Sequence, residues 1–421
     1  MGDTGMRDNG RVEVAATTVP DATELRRLRK IREKKIAVYG SLAVLLIVGA
    51  FFAAQAGLLG EWGLQAVASI TGEPVSDPPV TPVPTEPPAP VDLRAPMDKA
   101  LTAKALYLTM DSAGVPSIMK SVMEFVRGHE GLNSFVIDVK DNSGRVPTKS
   151  PENVPALPGH YPHFPALIGV LHDQGYYMIA RIVAFQDPYR CKTEPERSIR
   201  YANGSLWYDR DGRLWLNPYD QENWEYIKNV SLWALEMGFD EIQLDYVRFP
   251  DGAMGLEKSG GVLLPGSSDF ASRGDAIAAF LKYMDEAIGE KAYLAADIFG
   301  FVTIAVDDMG IGQKLEQLAD CVDFISPMVY PSHYFNAGIY GFQLPEAHPY
   351  EVVGKAMDEA QTRTAGLRSK IRPWLQDFSM RVHYGPAEVR GQIDALFEHG
   401  IETYMLWNPA NRYTDGVKYT K

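Results

Sequence analysis

Eight short runs rich in β-branched and aromatic residues, separated by helix-length stretches, set the fold of this chain. They lie at residues 105–110, 134–139, 176–185, 241–249, 293–299, 322–329, 371–378 and 403–407. Helical periodicity fills intervals such as 115–127, 223–237, 273–288, 349–364 and 387–399. In the second of these, Trp224, Ile227, Leu232, Leu235 and Met237 fall largely on one stripe. A parallel neighbour can be reached only by a crossover, so strands alternating with helices pair in parallel. Eight such units predict an α/β fold of the closed (β/α)8 type, a TIM barrel. The competing doubly wound open sheet usually has fewer strands and carries a G-x-G-x-x-G turn after the first, which is missing here. Only about a dozen residues follow the eighth run, too few for a full helix and its connection. The last helix is therefore expected to be missing or abbreviated, with the segment around 92–99 covering the groove it leaves.

The connections differ by end. Those entering strands are short, whereas those leaving them are long, at 141–161, 186–219, 250–268 and 331–348. Long loops at the carboxyl ends of barrel strands mark that end as the working face. Within the second loop, residues 206–216 alternate around Asp211-Gly212 and read as a β-hairpin flap.

The first 98 residues are of another kind. Residues 36–59 form 24 consecutive positions without a formal charge. As a helix they would reach about 36 Å, enough for a hydrocarbon core of about 30 Å. Seven basic residues crowd positions 26–35 just ahead of them, and no Lys or Arg occurs from 61 to 92. The positive-inside rule then predicts a cytoplasmic tail at 1–35, a signal-anchor helix at 36–59 and an extracellular remainder. A cleaved signal peptide is the rival, since Ala54-Gln55-Ala56 fits a small-x-small site. Nine prolines between 72 and 96 make 60–98 a semi-rigid stalk, because proline fixes φ and lacks a donor. The barrel is expected at 99–421.

Charge narrows the partners. Against 41 Lys and Arg stand 54 Asp and Glu, a net of −13, which argues against a nucleic-acid binder. Two cysteines exclude a disulfide framework. Cys191 follows the third strand and Cys321 opens the sixth, at opposite barrel ends, so both are expected as free thiols.

Carboxylates converge on the working face. In DEIQLDYVRFP, residues 240–250, Gln243 and Asp245 share one strand face, read as the lumen, while Asp240 and Glu241 are read as surface or bottom-face charges. Asp138 ends the second strand with Lys140 on the same face, Asp297 ends the fifth, and Asp377 ends the seventh as a capping residue. Arg181 is expected to point into the upper barrel between Asp138 and Asp245. Glycoside hydrolysis needs two carboxyl groups flanking the scissile bond, and adjacent strands four and five can supply them. Asp245 is assigned as nucleophile or base, with Arg181 and Arg248 as cationic neighbours. Asp297 follows two alanines, and desolvation there would raise its pKa toward that of a general acid. Asp138 and Lys140 are expected to hold substrate hydroxyls, with Tyr330, His333, Gln376 and Trp407 shaping the sugar subsite. No cofactor or metal is called for, since the first strand lacks a His-x-His, and a Ser–His–Asp enzyme is disfavoured because a G-x-S-x-G elbow is missing.

The motifs LDYVRFP (244–250), ADIFG (296–300), SPMVYPSHY (326–334), RPWLQDF (372–378) and LWNPANRY (406–413) together resemble the bacterial "putative glycosyl hydrolase domain" family. The resemblance runs from about Lys104 to Tyr413. It implies a glycosidase-like barrel and, by analogy with retaining barrel glycosidases, Asp245 as nucleophile. Many of those relatives place Glu on strand five, where this chain has Asp297. The function expected is thus a membrane-anchored extracellular glycosidase of a cell-wall or surface polysaccharide. The alternative is a non-catalytic barrel that binds carbohydrate or another envelope component, since a shared fold does not decide between them.

Overall fold

The computed structural model describes residues 94–334 and 339–421. The expected cytoplasmic tail, anchor and nearly all of the proline-rich stalk lie outside these residues. Among the described residues no helix is long and apolar enough to cross a membrane.

Eight parallel strands make the barrel: β1 Lys104–Leu108, β2 Ser134–Lys140, β3 Tyr177–Val183, β4 Glu241–Asp245, β5 Tyr293–Phe299, β6 Phe324–Met328, β7 Trp374–Gln376 and β8 Tyr404–Trp407. Each pairs with the next, and β8 returns to β1 with Tyr404 beside Lys104, which closes the ring. Every expected run contains a strand. The seventh is divided, because Pro373 has no N–H to give to the ladder; Lys370–Ile371 pairs with β6 ahead of the break. The fourth stops at Asp245, since Tyr246 turns to φ 51°, outside strand geometry.

Seven helices clothe the barrel: α1 Pro116–Gly128, α2 Phe164–Asp173, α3 Gln221–Glu236, α4 Arg273–Ile288, α5 Leu315–Ala319, α6 Pro349–Thr364 and α7 Pro386–Glu398. Local chemistry fixes where they begin. The Asp220 side chain caps α3 by accepting from the Glu222 N–H, and Ser272 caps α4 by accepting from Asp275. Proline begins α1, α6 and α7, where a missing N–H costs nothing. One apolar layer lies between helices and strands, with Ile137, Ile182, Leu244 and Ile298 among its members. A second fills the lumen, with Ala105, Val136, Ile179, Ala295 and Met405.

Among the described residues no helix follows β8, as expected. What fills the groove is different from the expectation. The C-terminal tail lies there between α7 and α1. Tyr404 donates from its hydroxyl to the Tyr419 carbonyl (2.9 Å), Arg390 of α7 donates to the carbonyls of Lys418 and Thr420, and His129 beyond α1 meets Asp415 at 3.0 Å. Val417 and Tyr419 are buried.

The segment around 94–99 sits beneath the barrel instead. Arg94 pairs with Asp323 at 3.3 Å, and the short helix Met97–Leu101 presents its Ala100 carbonyl to Arg372 (2.8 Å) and Thr403 (3.2 Å). Arg372 also holds Glu241 at 2.6 Å, and the Tyr177 hydroxyl donates to the same carboxylate. Of the two readings, surface or bottom face, Glu241 takes the second, as a fully buried member of the lower lumen. Asp240 ties the Met178 N–H and His172. Both cysteines are free and buried, in keeping with the expected unpaired thiols.

Candidate active site

Alternation along the strands carries a set of polar side chains into the upper lumen: Asp138 from β2, Arg181 from β3, Asp245 from β4 and Asp297 from β5. Arg181 is the hinge of the set. Its Nη1 donates to Asp138 at 2.6 Å, while Nε (3.0 Å) and Nη2 (2.5 Å) both donate to Oδ2 of Asp245. Burial works against the guanidinium charge, but Asp138 and Asp245 outweigh it and keep the arginine firmly protonated. The other oxygen of Asp245 accepts the backbone N–H of Tyr246 at 2.6 Å. That contact depends on the left-handed conformation of Tyr246, which costs a non-glycine residue about 1 kcal/mol. Strain of this kind persists only where the surroundings hold it in place.

Asp297 lies beside Asp245. The ladder pairs Leu244 with Ala296, so the next residues of β4 and β5 stand level on neighbouring strands, about 5 Å apart along the backbone. The Asp297 carboxyl is fully buried. Its Oδ1 accepts from Gln243 (2.6 Å) and from the Trp374 indole (2.7 Å), and its Oδ2 has no partner. Burial, and then the charge of Asp245, push its pKa well above the usual carboxylate range.

Above Asp245 a cleft of about 630 Å³ opens, lined by Asp245, Arg181, Trp374 and Trp407 among others, and Asp297 is buried outside its lining. Its size is that of ordinary ligand sites. Trp407 stacks on Tyr107 with ring centres 4.0 Å apart, and meets Trp374 edge-on. Tyr330 and His333 line another wall, and burial lowers the His333 pKa, favouring the neutral ring. Arg248 lines the cleft as well, and so does Arg213 from the flap. The flap is the expected hairpin, with Tyr208 bridging Leu214 around Gly212 at φ 75°. Trp207 and Trp215, within the hairpin, are buried.

Three expected ligands of substrate are placed elsewhere. Lys140 is fully buried, donates to the Val183 carbonyl (2.7 Å) and pairs with Asp187 at 3.0 Å. A register shift between Asp138 and Lys140 breaks the alternation and turns the lysine out of the lumen. Gln376 accepts the Ser332 N–H and donates to Glu346 and the Phe378 carbonyl, so it braces the loops. Asp138 has both oxygens engaged, by Arg181 and by the Tyr107 hydroxyl at 2.7 Å, and it holds Arg181 from behind the cleft. Asp377 caps the tail, accepting from Thr414.

Tyr107 escaped the sequence reading, although alternation with Ala105 places it on the lumen face of β1. Arg213 could not be found that way, because only tertiary packing brings the flap over the cleft. Among the described residues no group of three or more His, Cys, Asp or Glu side chains is arranged to hold a metal ion.

A closed parallel barrel with carboxylates and aromatic rings at the carboxyl ends of its strands defines a protein of the glycosyl hydrolase-like class. The chain belongs to the "Putative glycosyl hydrolase domain" family, whose profile matches residues 105–413. Among solved structures, a hypothetical protein from Ruminiclostridium thermocellum is similar at 28% identity, over 49% of this chain and 98% of that one, with a TM-score of 0.40. The PgaB (BpsB) glycoside hydrolase domain from Bordetella bronchiseptica is similar over 73% of this chain and 94% of that one, at 12% identity and a TM-score of 0.54. The second likeness is one of fold. No curated protein matches the chain.

Proposed function

We propose that this protein is a glycosidase of a cell-wall or surface polysaccharide, working through Asp245 and Asp297. The observation that carries the reading is the pairing of two carboxyl groups on neighbouring strands in unlike environments. Asp245 is ion-paired with Arg181 and open to the cleft, whereas burial and its neighbour's charge raise the pKa of Asp297. Environments that separate the protonation of two carboxyls assign the acid and the base. In this reading Asp297, whose Oδ2 is buried and without a hydrogen-bond partner, is the acid that gives its proton to the glycosidic oxygen once a sugar reaches past the floor of the cleft. Asp245 attacks the anomeric carbon or activates the water that does. Trp407, only partly buried, lines the cleft and offers apolar surface to the sugar, while Trp374 is buried beside it. The family's name supports hydrolysis of a glycan. The uncharged run at 36–59 behind a basic segment supports a membrane tether with the barrel outside the cell.

The test is release of reducing ends from isolated cell-wall and surface polysaccharides by wild type, Asp245→Asn and Asp297→Asn. Each substitution should lower turnover by about 10³-fold with the fold intact. With an aryl glycoside, whose leaving group needs little protonation, the Asp297 variant should retain more first-step activity than the Asp245 variant. Equal and modest losses in both would remove the two carboxyls from the chemistry. Oligosaccharide binding without any release of reducing ends would favour the binding module.

A further inference from the structure

Of the three arginines that line the cleft, Arg181 and Arg248 are held differently. Arg181 is spent on the protein, with Asp138 and Asp245 on either side. Arg248 is not. It is only 5% exposed, and its guanidinium lies among rings, with Cζ 4.6 Å from the centre of Phe299, 4.8 Å from Trp215 and 5.7 Å from Tyr246. Its Nη1 donates to the Phe249 carbonyl at 3.0 Å. The nearest carboxylate, Asp251, stands 3.7 Å away on a side chain 75% exposed to solvent. Burial accordingly outweighs the surrounding carboxylates and lowers the Arg248 pKa. A buried guanidinium is normally matched by a carboxylate or phosphate that meets its fork of donors.

Arg213 reaches the same cleft from the flap, and its partner Asp211, at 3.3 Å, is likewise solvent-exposed at 58%. Two cations with weak protein partners thus face one space in a chain whose net charge is −13. The rings around Arg248 exclude water and fix its plane, which suits an incoming pair of acceptor oxygens more than a lone hydroxyl.

We infer that the cleft takes an acidic glycan, whose anionic substituent is received by Arg248 with Arg213 assisting. The substituent is a uronic-acid carboxylate or a sulfate ester, which share the paired acceptor oxygens. This rests on the proposed carbohydrate site, but it concerns recognition, and it is read by binding without turnover.

The experiment is calorimetric titration of the full chain with paired probes. Short uronate oligosaccharides of the gluco, galacto and manno series are compared with the same oligosaccharides after carboxyl reduction. Sulfated counterparts of the neutral sugars form the second arm. In at least one series the anionic member should bind about 100-fold more tightly than its neutral twin, with affinity falling as salt is raised. Arg248→Met should erase that preference, and Arg248→Lys should restore only part of it. Should the Arg248 variants fail to fold, Arg213→Met, on an exposed side chain, must still lower the preference several-fold. Preference for carboxylate or for sulfate identifies the source of the anion. Equal affinity for charged and neutral members in every series, or a preference untouched by both arginine substitutions, overturns the inference. Tight anionic binding without release of reducing ends would leave it standing and remove the hydrolase reading alone.

Discussion

Asp297 shows how one side chain reports its surroundings. Two alanines before it and a phenylalanine after it made a dry strand end legible, and the structure places the carboxyl in full burial. What the sequence could not supply was the orientation of its partners, Trp374 and Gln243, which come from β7 and β4. A carboxyl with a raised folded pKa binds its proton more tightly in the native state than in the unfolded chain. Its contribution to stability is complete below about pH 4 and is lost as pH climbs toward the folded pKa, by about 1.4 kcal/mol per pH unit. Asp297→Asn carries no such proton. The variant and the wild type should melt alike near pH 4, and the variant should become progressively the more stable toward neutrality. Thermal unfolding followed from pH 4 to 8 decides this, and parallel curves would mean that Asp297 is ionised in the native barrel. Lys140 marks the opposite limit of legibility. Strict alternation put it beside Asp138, and a single register shift moved it to Asp187.

Elements were read more surely than their faces. The helix α4 begins and ends where periodicity put it, because Ser272 caps it and Ile288 is its last buried apolar residue. In α3 the stripe was read a step out of place. Trp224, Ile227, Val230 and Ala234 face the strands, and Leu232 and Leu235 are only half-buried at its margin. Apolar residues on both flanks of a stripe look alike to a periodicity count, and only the neighbouring surface chooses between them. Among the described residues no helix follows β8, and the tail that fills the groove was not legible, since an extended segment has no period. Tyr419 anchors that tail, 1% exposed, with its backbone carbonyl accepting from Tyr404 and its ring edge-on to His129. Tyr419→Ala should cost about 3 kcal/mol, the usual loss for a large buried ring, read as a lower urea midpoint. A loss below about 1 kcal/mol would mean that the tail is dispensable to the groove.

On the scale of the whole barrel, the two ends do separate work. The lower lumen is sealed by Arg372, Glu241 and Tyr177 around the Ala100 carbonyl, and the upper lumen carries the carboxylates and the cleft. Both Glu241 and Arg372 are fully buried, so Glu241→Leu leaves an uncompensated charge inside the protein. The expected cost is about 3–5 kcal/mol, with glycan affinity of the remaining folded protein unchanged. Affinity that falls along with stability would show that the ends are coupled. Arg94, the first of the described residues, stands at the pole opposite the cleft. A load applied at Arg94 would fall on its pair with Asp323 and then on the contacts of Ala100. These stand at the feet of the strands, and the load would spread into the ring before it reached Asp245 and Asp297 at the strand tops. The end of the barrel at which the described residues begin is thus mechanically insulated from the cleft.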